Sequence, residues 1–178
     1  CNTFIGLHLL NKGNYELAKE YLLQSYASKN SKLGIHDDTL IDVAALGIAY
    51  GRTNMPLSAE PMFLKDIQDT KLLHGEDSVE FATACNNVGV FFRTEGRFEE
   101  AESYLQNALA IRMLKFGRND LKVANTLSNL GVLKSRNDDH AAADEFHTNA
   151  LKISINCLGK DHPETLIKII NKAATIEV

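Results

Sequence analysis

Asparagine side chains recur in register along this chain: Asn87, Asn129 and Asn171 stand 42 residues apart each time (129−87, 171−129). A primary amide carries two N–H donors and a carbonyl acceptor, so a row of them can pair with the backbone of an extended peptide whatever its side chains. The competing use of the same groups is internal, bonding neighbouring loops or the backbone of adjacent units. Arg52, Arg93 and Arg136 recur beside them. Aimed inward, these guanidinium groups favour an acidic ligand through charge-assisted hydrogen bonds; aimed outward, they are merely solvated. Enzymatic chemistry is poorly represented. His140 and Asp144 lie one helical turn apart, but no third ligand or nucleophile accompanies them. His8, His36, His74, His147 and His162 are dispersed, and no glycine loop resembles a phosphate cradle. The sequence predicts no enzyme, no metal site and no cofactor.

The elements that must position these residues are helices. In the stretch Asn86 to Gly117, Phe81, Cys85, Val88 and Phe92 fall on one helical face before Glu95-Gly96-Arg97, and Phe98, Ala101, Leu105 and Ala108 fall on one face after it. This two-helix template repeats. Ala18, Ala59, Ala101 and Ala143 are spaced by 41, 42 and 42 residues (59−18, 101−59, 143−101), and Gly34, Gly75, Gly117 and Gly159 keep the same intervals. A sustained period of this size means a solenoid of stacked units, each too small to bury its apolar face alone. The predicted fold is an all-α, right-handed superhelical solenoid of antiparallel helix pairs, about four repeats plus a terminal helix.

The repeats also resemble a known family. Asn86-Asn87-Val88-Gly89, Glu99-Glu100-Ala101-Glu102, Ala108-Leu109-Ala110-Ile111 and Leu158-Gly159-Lys160-Asp161-His162-Pro163-Glu164-Thr165 are similar to the long tetratricopeptide repeats of kinesin light chains and of nephrocystin-like and bacterial or fungal multi-repeat proteins. Ser58-Ala59-Glu60-Pro61-Met62-Phe63 resembles the Ala-Glu-Pro start of the second helix in that group. The resemblance covers nearly the whole chain and implies peptide binding by asparagines of the matching Asn-Asn stretch. It carries over well to Asn87 and Asn129, less well to Asn171, whose surroundings diverge, and not to repeat two, where Ala45 stands.

Composition narrows the partners. A chain of 178 residues with 44% apolar and 24% charged content suits one well-buried domain. The formal charge of −4 offers no general attraction to phosphate backbones or acidic membranes, so neither nucleic acid nor membrane is an expected partner. Cys1, Cys85 and Cys157 form no close pair and predict reduced thiols in a reducing compartment, hence a cytoplasmic location, with Cys85 plain core. No apolar run approaches the ~20 residues that span a bilayer. The chain opens on Cys and runs almost directly into a helix, which predicts a fragment of a longer protein.

Repeats are expected at roughly 1–36, 37–77, 78–119 and 120–161 within a single array, with a ninth helix over 162–178 reaching about Glu177. Asp37-Asp38-Thr39 and Asp77-Ser78-Val79-Glu80 read as helix starts, the latter a possible capping box. Pro61 is tolerated only in a first turn, which puts the start of its helix at about Leu57. Lys134 stands where Tyr50 and Phe92 stand in other repeats and predicts a partly exposed edge. The ninth helix, with Ile167, Ile169, Ile170 and Ile176, is either a hydrophobic cap or a cut end of the array.

In such a stack, first helices line an inner concave groove. Small residues (the four alanines and Gly47, Gly89 and Gly131) set the close approach of helices, and the neighbouring positions set specificity. The groove face comprises Thr83, Asn86, Asn87, Val90, Arg93 and Thr94, then Asn125, Ser128, Asn129, Val132, Ser135 and Arg136, with Ile41, Ala45, Ile48 and Arg52 one period earlier. The expected function is a protein–protein interaction module that binds a peptide or partner protein in this groove, with an acidic linear motif as ligand, in a scaffold or adaptor. The alternative is a structural spacer or oligomerisation array with no groove ligand. The sequence assigns no oligomeric state.

Overall fold

The computed structural model describes residues 2–174. Its helices, in order, are α1 (Asn2–Asn11), α2 (Tyr15–Leu33), α3 (Asp37–Arg52), α4 (Pro56–His74), α5 (Val79–Thr94), α6 (Phe98–Phe116), α7 (Leu121–Arg136), α8 (His140–Leu158) and α9 (Pro163–Ala173). The period seen in the sequence is a period of lengths. First helices α3, α5 and α7 each have 16 residues and second helices α2, α4, α6 and α8 each have 19. The ninth helix is described to Ala173; Ile176 and Glu177 lie outside the described residues, as does Cys1.

Local chemistry sets each boundary. The residues preceding α3, α5, α7 and α9 are His36, Ser78, Asp120 and His162, spaced by 42 (78−36, 120−78, 162−120). Each side chain accepts a first-turn N–H: His36 Nδ1 from Asp38 at 3.2 Å, Ser78 Oγ from Phe81 at 3.0 Å, Asp120 Oδ1 from Lys122 at 2.7 Å and His162 Nδ1 from Glu164 at 3.2 Å. The caps are therefore His36 and Ser78 rather than the aspartates that follow or precede them. Thr39 completes the reciprocal arrangement, its Oγ1 accepting the His36 N–H at 2.9 Å. Gly34, Gly75, Gly117 and Gly159 end the second helices at φ 63–87°, the left-handed region where only glycine is free of a Cβ penalty. Inside the pairs the equivalent turn residues are Gly13, Asn54, Gly96 and Asp138, at φ 77°, 57°, 76° and 59°.

The second helix of repeat two starts one residue before the expected Leu57. The helix starts at Pro56, so Pro61 falls in the second turn and cannot donate to Leu57, which is 90% exposed. Both residues are on the exposed face, where an interrupted hydrogen bond is least costly.

Two compact units divide the chain at Phe91/Phe92. In the first, α1 packs on α2, α2 on α3 and α3 on α4, while α1 also meets α3. Ala18, Leu22, Ala45 and Leu46 form a buried cluster there, covered by Leu10, Tyr26, Tyr50 and Met62, and the Phe63 and Phe91 rings meet at 4.9 Å. In the second unit α6 packs on α7, α7 on α8 and α8 on α9, with α7 also meeting α9. Its core includes Val123, Ala124, Leu127, Ala150 and Ile153. Within each unit, then, consecutive first helices are neighbours, which brings equivalent positions side by side.

Glycine permits the tightest of these contacts. A Cβ on Gly47 would lie 2.9 Å from the Phe63 ring, and one on Gly131 2.6 Å from the His147 ring. Lys134, at the position of Tyr50 and Phe92, is half-buried and ion-paired with Glu102 at 2.7 Å, so a polar pair replaces the aromatic contact. Ile167, Ile169 and Ile170 are exposed, and the buried positions of α9 are Thr165 and Lys168. Cys85 is buried and Cys157 exposed, both as free thiols.

Candidate functional site

Each unit carries a cleft of about 330 Å³ between neighbouring first helices. In the second unit it is lined by Asn125, Ser128 and Asn129 of α7 and by Glu164, Ile167, Lys168 and Asn171 of α9. Four expected groove or ladder positions, Asn125, Ser128, Asn129 and Asn171, thus share one wall-to-wall space. Two pairs are bonded across it: Asn171 Nδ2 donates to Ser128 Oγ at 3.2 Å, and Lys168 Nζ donates to Asn125 Oδ1 at 2.7 Å.

Lys168 escaped the sequence reading. It is 5% exposed, and its burial pulls the ammonium pKa below its ordinary value, with the Glu164 carboxylate opposing. A desolvated ammonium held by one amide oxygen is a strong electrostatic feature for a carboxylate to complete. Its sequence signal was weak because Lys168 lies among isoleucines on a helix whose partner residue, Asn125, is 43 positions away. Nearby, Lys172 pairs with Asp144 at 2.9 Å.

The first-unit cleft occupies the same register 84 residues earlier (125−41, 168−84). Ile41 and Ala44 of α3 face Thr83, Ala84 and Asn87 of α5, with Asp66 and Thr70 of α4 beneath. Here Asn87 takes the place of Asn171 and Ala84 that of Lys168. The lining is mostly apolar on the α3 side, where Leu40 joins Ile41.

The remaining expected site residues stand outside both clefts. Ile48, Arg52 and Arg136 are exposed, while Asn86, Val90, Arg93 and Val132 are half-buried. Thr94 is exposed and Ser135 half-buried. Ala45 is 3% exposed and belongs to the hydrophobic cluster, so the groove face of α3 is narrower than expected. The arginines at the ends of first helices line neither cleft; Lys168 is the cation of the second-unit cleft, and Asp37, Asp66 and Glu80 line the first.

Buried polar pairs link consecutive helix pairs. Lys29 Nζ meets the fully buried Asp42 at 2.9 Å and donates to Thr3 Oγ1 at 2.6 Å, and that hydroxyl donates to Asp42 Oδ1 at 2.8 Å. Arg112 donates to Thr126 Oγ1 at 2.6 Å and to the Lys122 carbonyl at 3.2 Å. Among the described residues no group of three His, Cys, Asp or Glu side chains is placed to hold a metal ion, and no helix is long and apolar enough to cross a membrane.

Comparison with known proteins gives a consistent result. Two family models, both described as Tetratricopeptide repeat, match residues 80–154 and 2–31. No curated protein matches the sequence. Among solved structures, BtubC (BKLC) from P. vanneervenii superposes with TM-score 0.83 at 23% identity, over 99% of this chain and 70% of that one. The Podosopora anserina putative kinesin light chain with nearly identical TPR-like repeats gives 0.80 at 16%, over 99% and 84%. Pseudomonas aeruginosa pilF gives 0.69 at 21%, over 99% and 66%. At these identities the likeness speaks for the fold.

Proposed function

Because the chain belongs to the tetratricopeptide repeat family, whose repeats generally serve as protein–protein interaction modules, we propose that it binds an extended, acidic peptide segment of a partner protein along its first helices. The supporting observation is the second-unit cleft, where Asn125, Ser128, Asn129 and Asn171 surround the buried Lys168. The amides serve the peptide backbone, and Lys168 serves an Asp or Glu side chain whose charge offsets the cost of burying an ammonium. Asn87 stands at the equivalent position of the first unit, and the division into repeats near 36, 77, 119 and 161 gives one such asparagine per repeat from the third onward. The host is a scaffold or adaptor in the cytoplasm. This repeat fold is typically a non-catalytic interaction scaffold, and no catalytic step is assigned to it.

One observation favours a second reading. Asn125 and Ser128 already bond α9 side chains, as they would in an array that only spaces or oligomerises its neighbours. An array of immobilised peptides separates the two. Binding to Asp- and Glu-rich peptides that falls about tenfold or more in Asn129→Ala and Lys168→Met supports the docking role; no preference for acidic peptides refutes the ligand, and unchanged interactions in both variants favour the spacer.

A further inference from the structure

Junctions between consecutive helix pairs follow one register. Second-helix positions Lys29, Thr70, Arg112 and Ser154 are matched on the next first helix by Asp42, Ala84, Thr126 and Lys168. Three of these junctions hold a cation of the chain's own: Lys29 on Asp42 at 2.9 Å, Arg112 on Thr126 at 2.6 Å and Lys168 on Asn125 at 2.7 Å. At the junction of α4 with α5 the two register positions, Thr70 and Ala84, are both uncharged. Beside them is a carboxylic acid, Asp66, 4% exposed, touched by the Thr70 hydroxyl at 3.4 Å and opening into the first-unit cleft. Ala84, where the equivalent residue of α9 is Lys168, leaves the space above it clear.

The walls suit an aliphatic cation. Leu40, Ile41 and Val79 offer apolar surface for a methylene stem, and Glu80 adds negative charge at the rim, while Asp37 is engaged by His74 at 2.6 Å. A compact ammonium on a flexible stem matches one carboxylate oxygen and one hydroxyl. We infer that the first-unit cleft accepts a lysine side chain from a partner protein, seating the stem on Leu40, Ile41 and Val79 and the ammonium against Asp66. This subsite is opposite in charge preference to the Lys168 cleft and is independent of it. Burial holds the Asp66 carboxyl up at about 7, so the arriving cation displaces its proton and binding tightens between pH 6 and 8. The titratable groups near Asp66 are Asp69 and His74 on its own helix, Asp37 on α3 and Glu80 on α5.

The test is an amide-resolved NMR titration of the chain with a blocked alanine-based heptapeptide carrying one central lysine, against the same peptide with norleucine. The lysine peptide is expected to shift the amides of Leu40, Ala44, Thr70 and Ala84, and to bind about tenfold or more tightly than the norleucine peptide. Asp66→Asn is expected to lose that difference. Ala84→Lys, which supplies the cation from α5 as Lys168 does from α9, is expected to fold and to exclude the peptide. Equal binding of the two peptides, undiminished binding by either variant, shifts confined to the Asn125 and Asn171 cleft, or no binding overturns the inference. Tighter binding of an arginine peptide overturns the assignment to lysine. Asn129 and Lys168 are untouched in these variants, so failure here leaves the acidic-peptide reading standing.

Discussion

Replacing Asp66 by asparagine is expected to stabilise the fold above pH 7 and to change little below pH 4. Burial raises the folded carboxyl from its ordinary 3.8 to about 7, with the Asp69 charge adding to the effect and the Thr70 hydroxyl opposing it. Between those values the folded chain keeps a proton that the unfolded chain has released, so stability falls as pH rises through the window and the whole penalty is present above it. A gap of this size corresponds to about 4 kcal/mol, an upper figure because the cleft admits water on one side. Asparagine keeps an acceptor for Thr70 and loses the charge. Urea unfolding of both proteins at pH 4, 5.5, 7 and 8.5 reads the difference directly. It should rise from near zero to about 2–4 kcal/mol in favour of the variant. A pH-independent difference, or a variant that loses ground as pH rises, refutes the assignment of Asp66 as a buried acid.

Other expectations follow from the packing. Gly131→Ala drives a methyl group to 2.6 Å from the His147 ring and is expected to cost about 1–3 kcal/mol by chemical unfolding despite alanine's better helix propensity. His147→Leu supplies the residue type found at the equivalent Leu22 and Leu105 and removes a buried Nδ1 that has no hydrogen-bond partner. Desolvation lowers the His147 pKa, so the unfolded chain takes up a proton that the folded one resists as pH falls below about 6.5; the gain from this variant should be larger at pH 5 than at pH 8 in thermal melts. Asn54→Gly and Asp138→Gly, at φ 57° and 59°, relieve left-handed strain and should each raise stability by a few tenths to about 1 kcal/mol, measured by urea midpoint.

The repeat was legible because its markers answer to backbone geometry. Gly34, Gly75, Gly117 and Gly159 are glycines for the sake of a positive φ, and Ala18, Ala59, Ala101 and Ala143 are fully buried where helices meet. Such requirements leave the same letter at the same interval. The caps were harder to read because His36, Ser78, Asp120 and His162 perform one task with three side-chain types. Helix periodicity likewise placed Asn125, Ser128 and Asn129 on the face of their cleft, since all three depend on α7 alone. Lys168 and Asp66 were not legible. Whether a charged residue is buried depends on what the neighbouring helix presents, and here that is Asn125 in one case and the small Ala84 in the other. Ala45 shows the converse: its register puts it among groove positions, yet its small size lets the hydrophobic cluster close over it.

The central claim is that the cleft between α7 and α9 receives an acidic peptide. Amide-resolved NMR of the chain during titration with a blocked, Glu-rich extended peptide tests it most directly. The account predicts shifts clustered at Asn125, Asn129, Lys168 and Asn171 that disappear in Lys168→Met. Shifts confined to the exposed faces of α6 and α8, or an unaltered pattern in that variant, would contradict it.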